Sequence, residues 1–414
     1  MPPAVYLLGL AVFAQGTSEF MLAGLVPDIA ADLAVSVSAA GSLTSAFALG
    51  MVVGAPTMAL LGARWSRRAA LMGFLGLFLL THVVGALTTG YPVLLACRVV
   101  GALANAGFLA VALATSAALA GPNARARATA VLLGGVTLAC VVGVPGGALL
   151  GQLWGWRAAF WAVALLSLPA LLAVPRSVPA GAPEPAPGDA GAAGGAEARV
   201  GAGARGELRA LRRPATLLVL ALAALVNAAT FGTFTYLAPL ATEVAGLAEG
   251  WVPGVLALFG LGSFAGVTLA GRVADARPLP LLVGGGAALL LGWLALAAGA
   301  GAPGALLGLV LLQGALSFAV GTTLIALVLS TASGAPRLAG GFATAALNVG
   351  AALGPWACGL ALDAGWGHRA PVWLSAALVA AALTVGALGR EALRAATPRR
   401  GARGRDPEGR APVG

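Results

Sequence analysis

The sequence predicts an all-α membrane protein of twelve transmembrane helices in two pseudo-symmetric six-helix bundles. Three observations predict it. Hydrophobic residues make up 59% of the 414 residues and charged residues only 9%, with a mean hydropathy of +0.94. A soluble domain carries about 25% charged residues, and its surface must still be wetted, so lipid is the solvent for most of this chain. Apolar stretches of 18 or more residues recur along it, each long enough to cross a ~30 Å hydrocarbon core as a helix. One long polar break then divides these stretches six and six.

The spans fall at approximately 4–26, 38–61, 69–88, 92–119, 127–151, 157–174, 215–240, 251–273, 279–299, 303–330, 338–361 and 370–389. Most loops between them are very short, so consecutive helices run antiparallel. The break is rich in Pro, Gly and Ala, carries charge and has no periodicity, which reads as a flexible linker. The chain therefore divides into an N-terminal bundle (1–174), a linker (175–214), a C-terminal bundle (215–389) and a basic tail (390–414). The tail is expected to be disordered and to lie against anionic headgroups. The first apolar stretch has neither a basic n-region nor a small-residue cleavage site, so it reads as a helix that stays.

All 24 basic residues are arginine. The net charge of +10 would suit nucleic acid, but the arginines sit in short loops and tails between apolar spans, which reads as membrane topology. With the linker in the cytoplasm, 21 of the 24 lie inside, and only Arg157 and Arg369 face outward. Arg98 lies within a span. Both termini are then cytoplasmic, in a multi-pass protein of the plasma membrane.

The absence of lysine excludes a Walker A phosphate loop, whose lysine reaches the nucleotide. A pump built on this chain needs an ion gradient or a partner subunit. Cys97, Cys140 and Cys358 fall far apart within apolar spans and form no metal or redox spacing; no metal or cofactor is expected. An intramembrane enzyme needs paired aspartates, H-E-x-x-H or a serine dyad. Two histidines, no lysine and one acidic residue deep in a span supply none of these.

The halves repeat. Arg157-Ala-Ala-Phe-Trp161 is similar to Arg369-Ala-Pro-Val-Trp373, and each opens the last span of its half. Weak internal symmetry of this kind is expected of secondary transporters.

Several motifs carry a family resemblance. The loop after span two, Gly62-Ala63-Arg64-Trp65-Ser66-Arg67-Arg68, resembles the first conserved loop of the major facilitator superfamily, G-x-L-A-D-R-x-G-R-[RK]-x-x-L. Its basic end is present and its Asp is replaced by Ala63. The second half supplies the complement, Gly271-Arg272-Val273-Ala274-Asp275, and the offset from Ala63 to Asp275 equals that from Arg157 to Arg369. The resemblance implies a cytoplasmic gate loop of Arg64, Arg67, Arg68 and Asp275; plain positive-inside anchoring is the other reading. Span five, with Gly143, Pro145, Gly147 and Gly151, resembles the superfamily's antiporter helix motif. Gly135, Ala139, Gly143, Gly147 and Gly151 also form a small-residue stripe that lets another helix approach closely. Ala346, Gly350, Gly354 and Cys358 do the same in span eleven, beside Pro355.

Span one, reading Gln15-Gly-Thr17-Ser18-Glu19-Phe20 and then Gly24-Leu-Val-Pro27-Asp28, resembles the first helix of twelve-span drug:proton antiporters. Glu19 is the only acidic residue well inside a span. An arginine at the centre of a span costs ~2.5–3.5 kcal/mol, so Arg98, similar to the family's R-x-x-x-G helix motif, needs a partner or water. Both side chains lie ~9–10 Å from the outer face at 1.5 Å per residue, and they are expected to pair in at least one state of the protein. The resemblance implies proton coupling through Glu19, Arg98 and Asp28. It further implies a central cavity lined by spans one, four, seven and ten, with Gln15, Asn105, Asn227, Phe231, Phe234, Tyr236, Gln313 and Ser317 as candidates, joined by Asn348 of span eleven. Interhelical hydrogen bonding is the alternative for each Asn and Gln. His82 has no acidic neighbour in sequence and reads as structural.

The resemblance covers about residues 5–390 without the linker, and is strongest to chloramphenicol resistance exporters of actinomycetes. It implies antiport of a small amphipathic drug, most of all chloramphenicol, against protons, by a monomer with no obligate protein partner. A sugar or nucleoside effluxer and a non-transporting membrane sensor are the other readings.

Overall fold

The computed structural model describes residues 2–62, 65–120, 124–178, 213–273, 278–332 and 339–392. Twelve helices among them are long and apolar enough to cross a membrane: α1 (Pro3–Gly24), α2 (Val37–Gly54, helical to Gly62), α3 (Arg67–Leu87), α4 (Tyr91–Ala120), α5 (Arg127–Trp154), α6 (Trp156–Ser177), α7 (Pro214–Thr235), α8 (Glu249–Arg272), α9 (Leu279–Gly299), α10 (Pro303–Thr331), α11 (Ala339–Asp363) and α12 (Ala370–Leu388). The linker and the basic tail fall outside the described residues, as do Arg64 and Asp275 of the loop motif.

Local chemistry sets the ends of these helices. Proline occupies the first turn of α1, α7, α10 and α12, where its missing N–H loses no intrahelical bond. Ser66 caps α3, its hydroxyl accepting from the Ala69 N–H at 3.2 Å. Gly155 between α5 and α6 and Gly367 before α12 sit at φ of 81° and 80°, a region open to glycine and strained for other residues.

Span one ends sooner than the hydropathy suggests. Its last turn, Met21–Gly24, tightens to a 3-10 helix, and Val26–Asp32 forms a separate short helix with Pro27 in its first turn. A proline cannot extend an α-helix inward from its own position, so Asp28 sits on this cap outside the span.

The repeat runs through the whole fold. The offset that carries Arg157 to Arg369 also carries the start of α2 to that of α8, α3 to α9, α4 to α10, and α5 to α11. Packing partners repeat too. α1 packs on α4, α5 and α6 as α7 does on α10, α11 and α12; α2 packs on α4 as α8 does on α10; α3 packs on α4 and α6 as α9 does on α10 and α12. The principal contacts between the halves are α2 with α11 and α5 with α8. That leaves α3, α6, α9 and α12 on the periphery, where large apolar side chains such as Leu80, Leu165, Val283 and Leu388 are exposed. Water would penalise such a surface, whereas lipid does not. Trp154, Trp251, Trp366 and Trp373 are exposed near the ends opposite the linker, where indole rings suit a membrane interface.

Candidate functional site

The small-residue stripe on α5 seats α1. A Cβ on Gly135 would meet the Phe13 nitrogen at 3.0 Å, one on Gly147 the Met21 Cβ at 3.1 Å, and ones on Gly143 and Gly151 would run into Thr17 and Leu25. On α11, Cβ atoms at Gly350 and Gly354 would overlap the Ala224 and Ala228 carbonyls of α7. Each half thus draws its first helix into the bundle centre. Pro145 follows a π turn at Ala139–Gly143, closed by the Val144 N–H on the Ala139 carbonyl. Such single-turn bulges reroute a helix's hydrogen bonds and are frequent at functional sites. Gly260 of α8 crosses against Cys140 of that same turn, and a Cβ there would strike its carbonyl.

From this crossing to the side opposite the linker, the halves close on one another. Phe20 of α1 and Phe231 of α7 stack with centroids 5.4 Å apart. Tyr236, at the end of α7, is buried between Gly41 of α2 and Gly359 of α11, and its hydroxyl donates to the Pro355 carbonyl at 3.0 Å. Farther out, Gln152 Nε2 donates to the Glu249 carbonyl at 2.5 Å. Tyr236 is therefore part of the seal between the halves, and its ring does not line an open cavity.

Just inside this seal lies a cavity of about 10 Å³, lined by Glu19, Phe20, Thr44, Phe47, Ala48, Phe231 and Ala351. Roughly this space holds one water. Its wall comes from both halves, and its polar groups are the Glu19 carboxylate and the Thr44 hydroxyl.

Arg98 is buried beside it, 2% exposed. In this conformation the ion pair is not formed: among the described residues Arg98 makes no salt bridge with Glu19. Its Nη1 donates instead to the Ser18 carbonyl and to Ser18 Oγ, both at 3.0 Å, and its guanidinium lies 4.2 Å from the Phe47 ring centroid. The reason is geometric. Ser18 and Glu19 are neighbours in sequence, so their side chains leave α1 about 100° apart; Ser18 faces α4 while Glu19 faces the other half. Among the described residues Arg98 Nε and Nη2 have no hydrogen-bond partner.

Ser18 also meets His82, with Oγ and Nε2 2.6 Å apart, and His82 Nδ1 lies 2.7 Å from the Phe78 carbonyl. A carbonyl only accepts, so Nδ1 carries a proton, and the neutral ring then accepts the Ser18 proton at Nε2. Arg98, Ser18 and His82 thus form a chain across α4, α1 and α3. His82 belongs to this network, which sequence reasoning missed because its partners lie 64 residues or more away or are backbone groups.

The remaining candidates separate. Gln15 is buried, and neither polar atom of its side chain has a hydrogen-bond partner among the described residues. Asn105 Nδ2 approaches Met51 Sδ at 3.5 Å. Asn227 donates to the Leu347 carbonyl at 2.6 Å, tying α7 to α11, and Gln313 donates to the Leu289 carbonyl at 3.3 Å, tying α10 to α9. Asn348 donates to its own helix at Thr344. Ser317 is buried with no protein partner for Oγ. Phe231 lines the cavity, whereas Phe234 packs into the second half's core against Phe259, 4.7 Å between centroids. Asn227, Gln313, Asn348 and Phe234 are therefore engaged in packing and do not face the cavity. Asp28 is exposed on the cap opposite the linker; partial desolvation first, and then the neighbouring Glu249 charge, push its carboxyl above the usual range. Of the loop residues, Arg67 opens α3 and Arg68 follows it at the linker-side end.

The sequence profile of the Major Facilitator Superfamily matches residues 8–340. The chain is 56% identical over 398 residues to a chloramphenicol resistance protein of Streptomyces lividans, covering 96% of this chain and 99% of that one. It is 34% identical over 366 residues to an inner membrane transport protein, YdhP, of Escherichia coli, covering 87% and 89%. A probable sugar efflux transporter of Mannheimia succiniciproducens is 26% identical, covering 84% and 83%. Among solved structures, a POT peptide transporter superposes with a TM-score of 0.70 at 14% identity, covering 95% of this chain and 96% of that one; at that identity the likeness is one of fold.

Proposed function

The chain belongs to the major facilitator superfamily, a multi-pass membrane transporter, and we propose that it exports a small amphipathic aromatic drug, chloramphenicol or a relative, in exchange for protons. The observation that carries the reading is the Glu19 carboxylate set in a cavity between the halves whose wall holds Phe20, Phe47 and Phe231. A ring stacks on such side chains, and a carboxylate is the simplest carrier of a proton. The 56% identity to a chloramphenicol resistance protein over almost the whole of both chains supports the drug class. A sugar needs several fixed hydrogen-bonding partners, and this wall offers two.

The closed side is read as extracellular, following the arginine asymmetry. Drug enters from the cytoplasm and wedges Phe20 from Phe231. The halves rock about the α5–α8 crossing, the seal at Tyr236 parts, and the cavity opens outward. Glu19 takes a proton there and carries it back. The fixed charge of Arg98, held on Ser18, favours the ionised carboxylate while desolvation opposes it, so a change in their separation or in hydration alternates capture and release. With a neutral drug, one-for-one exchange moves one positive charge inward, worth ~2.3 kcal/mol per 100 mV, and export responds to potential as well as to pH.

Proteoliposomes test this. Under an imposed pH gradient the wild-type chain should move chloramphenicol uphill, and Glu19→Gln should bind the drug but not concentrate it. Gradients of wild-type size in Glu19→Gln would remove Glu19 as the proton carrier. Proton release when drug is added to purified protein separates transport from sensing. Growth protection against chloramphenicol, florfenicol and sugar analogues decides the substrate.

A further inference from the structure

A second cavity lies away from the centre, within the second half. It measures about 380 Å³ and is formed by α7, α9, α10 and α12 at their linker-side ends. Its floor is buried and apolar, including Leu222, Val226, Val320 and Leu324, while Val283 is exposed at its mouth. Because α9 and α12 are peripheral helices, the mouth opens toward the bilayer. The lining runs along α9 from Leu279 to Gly286, ~10 Å at 1.5 Å per residue, and Arg390 stands at its linker-side end.

The pseudo-symmetry explains why the cavity exists. The offset that relates the two halves carries Gly286 to Phe74 and Val320 to Phe108. Both rings are buried in the first half, in one apolar cluster with Leu71, Ala112, Ala170 and Val174. The second half has replaced two ring-sized plugs by glycine and valine. A void of this size left empty forfeits the packing of every side chain around it, so an occupant is expected. The rim supplies the discriminating feature: the first-half counterpart of Arg390 is Val178. An apolar slot open to lipid, with a guanidinium at the headgroup level, fits an acyl chain below a phosphate.

We propose that this cavity binds one acyl chain of an anionic phospholipid from the leaflet on the linker side, with Arg390 holding its phosphate. The site is separate from the Glu19 cavity and does not depend on what is transported.

The test uses the full chain in detergent, titrated with dioleoyl phosphatidylglycerol or dioleoyl phosphatidylcholine and followed by native mass spectrometry. The wild-type chain should retain one phosphatidylglycerol in preference to phosphatidylcholine. Val320→Phe, which restores the first half's plug, should lower retention of both lipids by about tenfold. Gly286→Leu is a second plug; a Cβ there first meets only the tip of Leu383, at 2.9 Å, so this variant keeps the test decisive if Val320→Phe does not fold. Arg390→Gln should keep the chain and lose the headgroup preference. Equal retention in folded plugged variants, unchanged preference in Arg390→Gln, or displacement of the lipid by chloramphenicol alone would each overturn the proposal.

Discussion

Ser18→Ala is the sharpest probe of the buried network. Ser18 is fully buried, and its hydroxyl donates to His82 Nε2 across 2.6 Å and accepts from Arg98 Nη1 across 3.0 Å. Alanine is nearly isosteric, so no cavity opens and the loss is that of two hydrogen bonds. Interhelical hydrogen bonds in membranes average ~0.6 kcal/mol with a maximum of ~1.7, and the bond to a guanidinium belongs at the strong end. The sum is a destabilisation of ~1–3 kcal/mol. Arg98 keeps the Ser18 carbonyl, which stops the cost from rising to that of a stranded charge. Equilibrium unfolding in mixed micelles, followed by tryptophan fluorescence, measures it. His82→Phe preserves the packing of that ring against Phe78, 4.1 Å between centroids, and removes the same Ser18 bond. The double variant should therefore be less destabilised than the two singles added together, by ~0.5–1.5 kcal/mol. Strict additivity, or a Ser18→Ala effect within ~0.3 kcal/mol of zero, would refute the network.

Gly41→Val should push Tyr236 from its slot between α2 and α11, so spin-label distances between the outer ends of those helices should lengthen; unchanged distances would mean that the seal does not rest on this contact. Arg157 hydrogen-bonds Asp32 at 2.5 Å and holds its carboxyl below the usual range. A depressed carboxylate contributes stability above its unfolded value near ~3.9 and loses it as pH falls further. Asp32→Asn should thus cost under ~1 kcal/mol near neutrality, as this pair is partly exposed, and nothing in strong acid. Asp28 is shifted the opposite way, so Asp28→Asn should stabilise the protein near neutral pH, with the advantage fading as pH falls through the raised folded value and gone below the unfolded one; destabilisation near neutrality would contradict this reading. Positive-inside topology would place 21 arginines inside and two outside, so a reporter at the C-terminus should read cytoplasmic and one after Glu249 outside.

Composition and spacing alone determined that the chain lies in lipid, where its spans fall and that its halves are related by one constant offset. These are properties of the chain in one dimension. The length of an apolar run decides whether it crosses a bilayer, and glycine every fourth residue decides where another helix can come close. The site was legible only in part. Glu19 and Arg98 stand out because buried charge is rare in lipid, and their similar depth suggested a pair. In this conformation the tertiary structure keeps them apart, because the direction in which a side chain leaves its helix depends on how α1 is turned against α3, α4 and α7. Ser18, one residue before Glu19, meets the arginine and recruits His82, while the carboxylate turns to the phenylalanines of the other half. Tyr236 became a seal and Asn227 a tie between helices for the same reason: a polar residue's role depends on the neighbour it faces, and that neighbour is brought by packing from more than a hundred residues away.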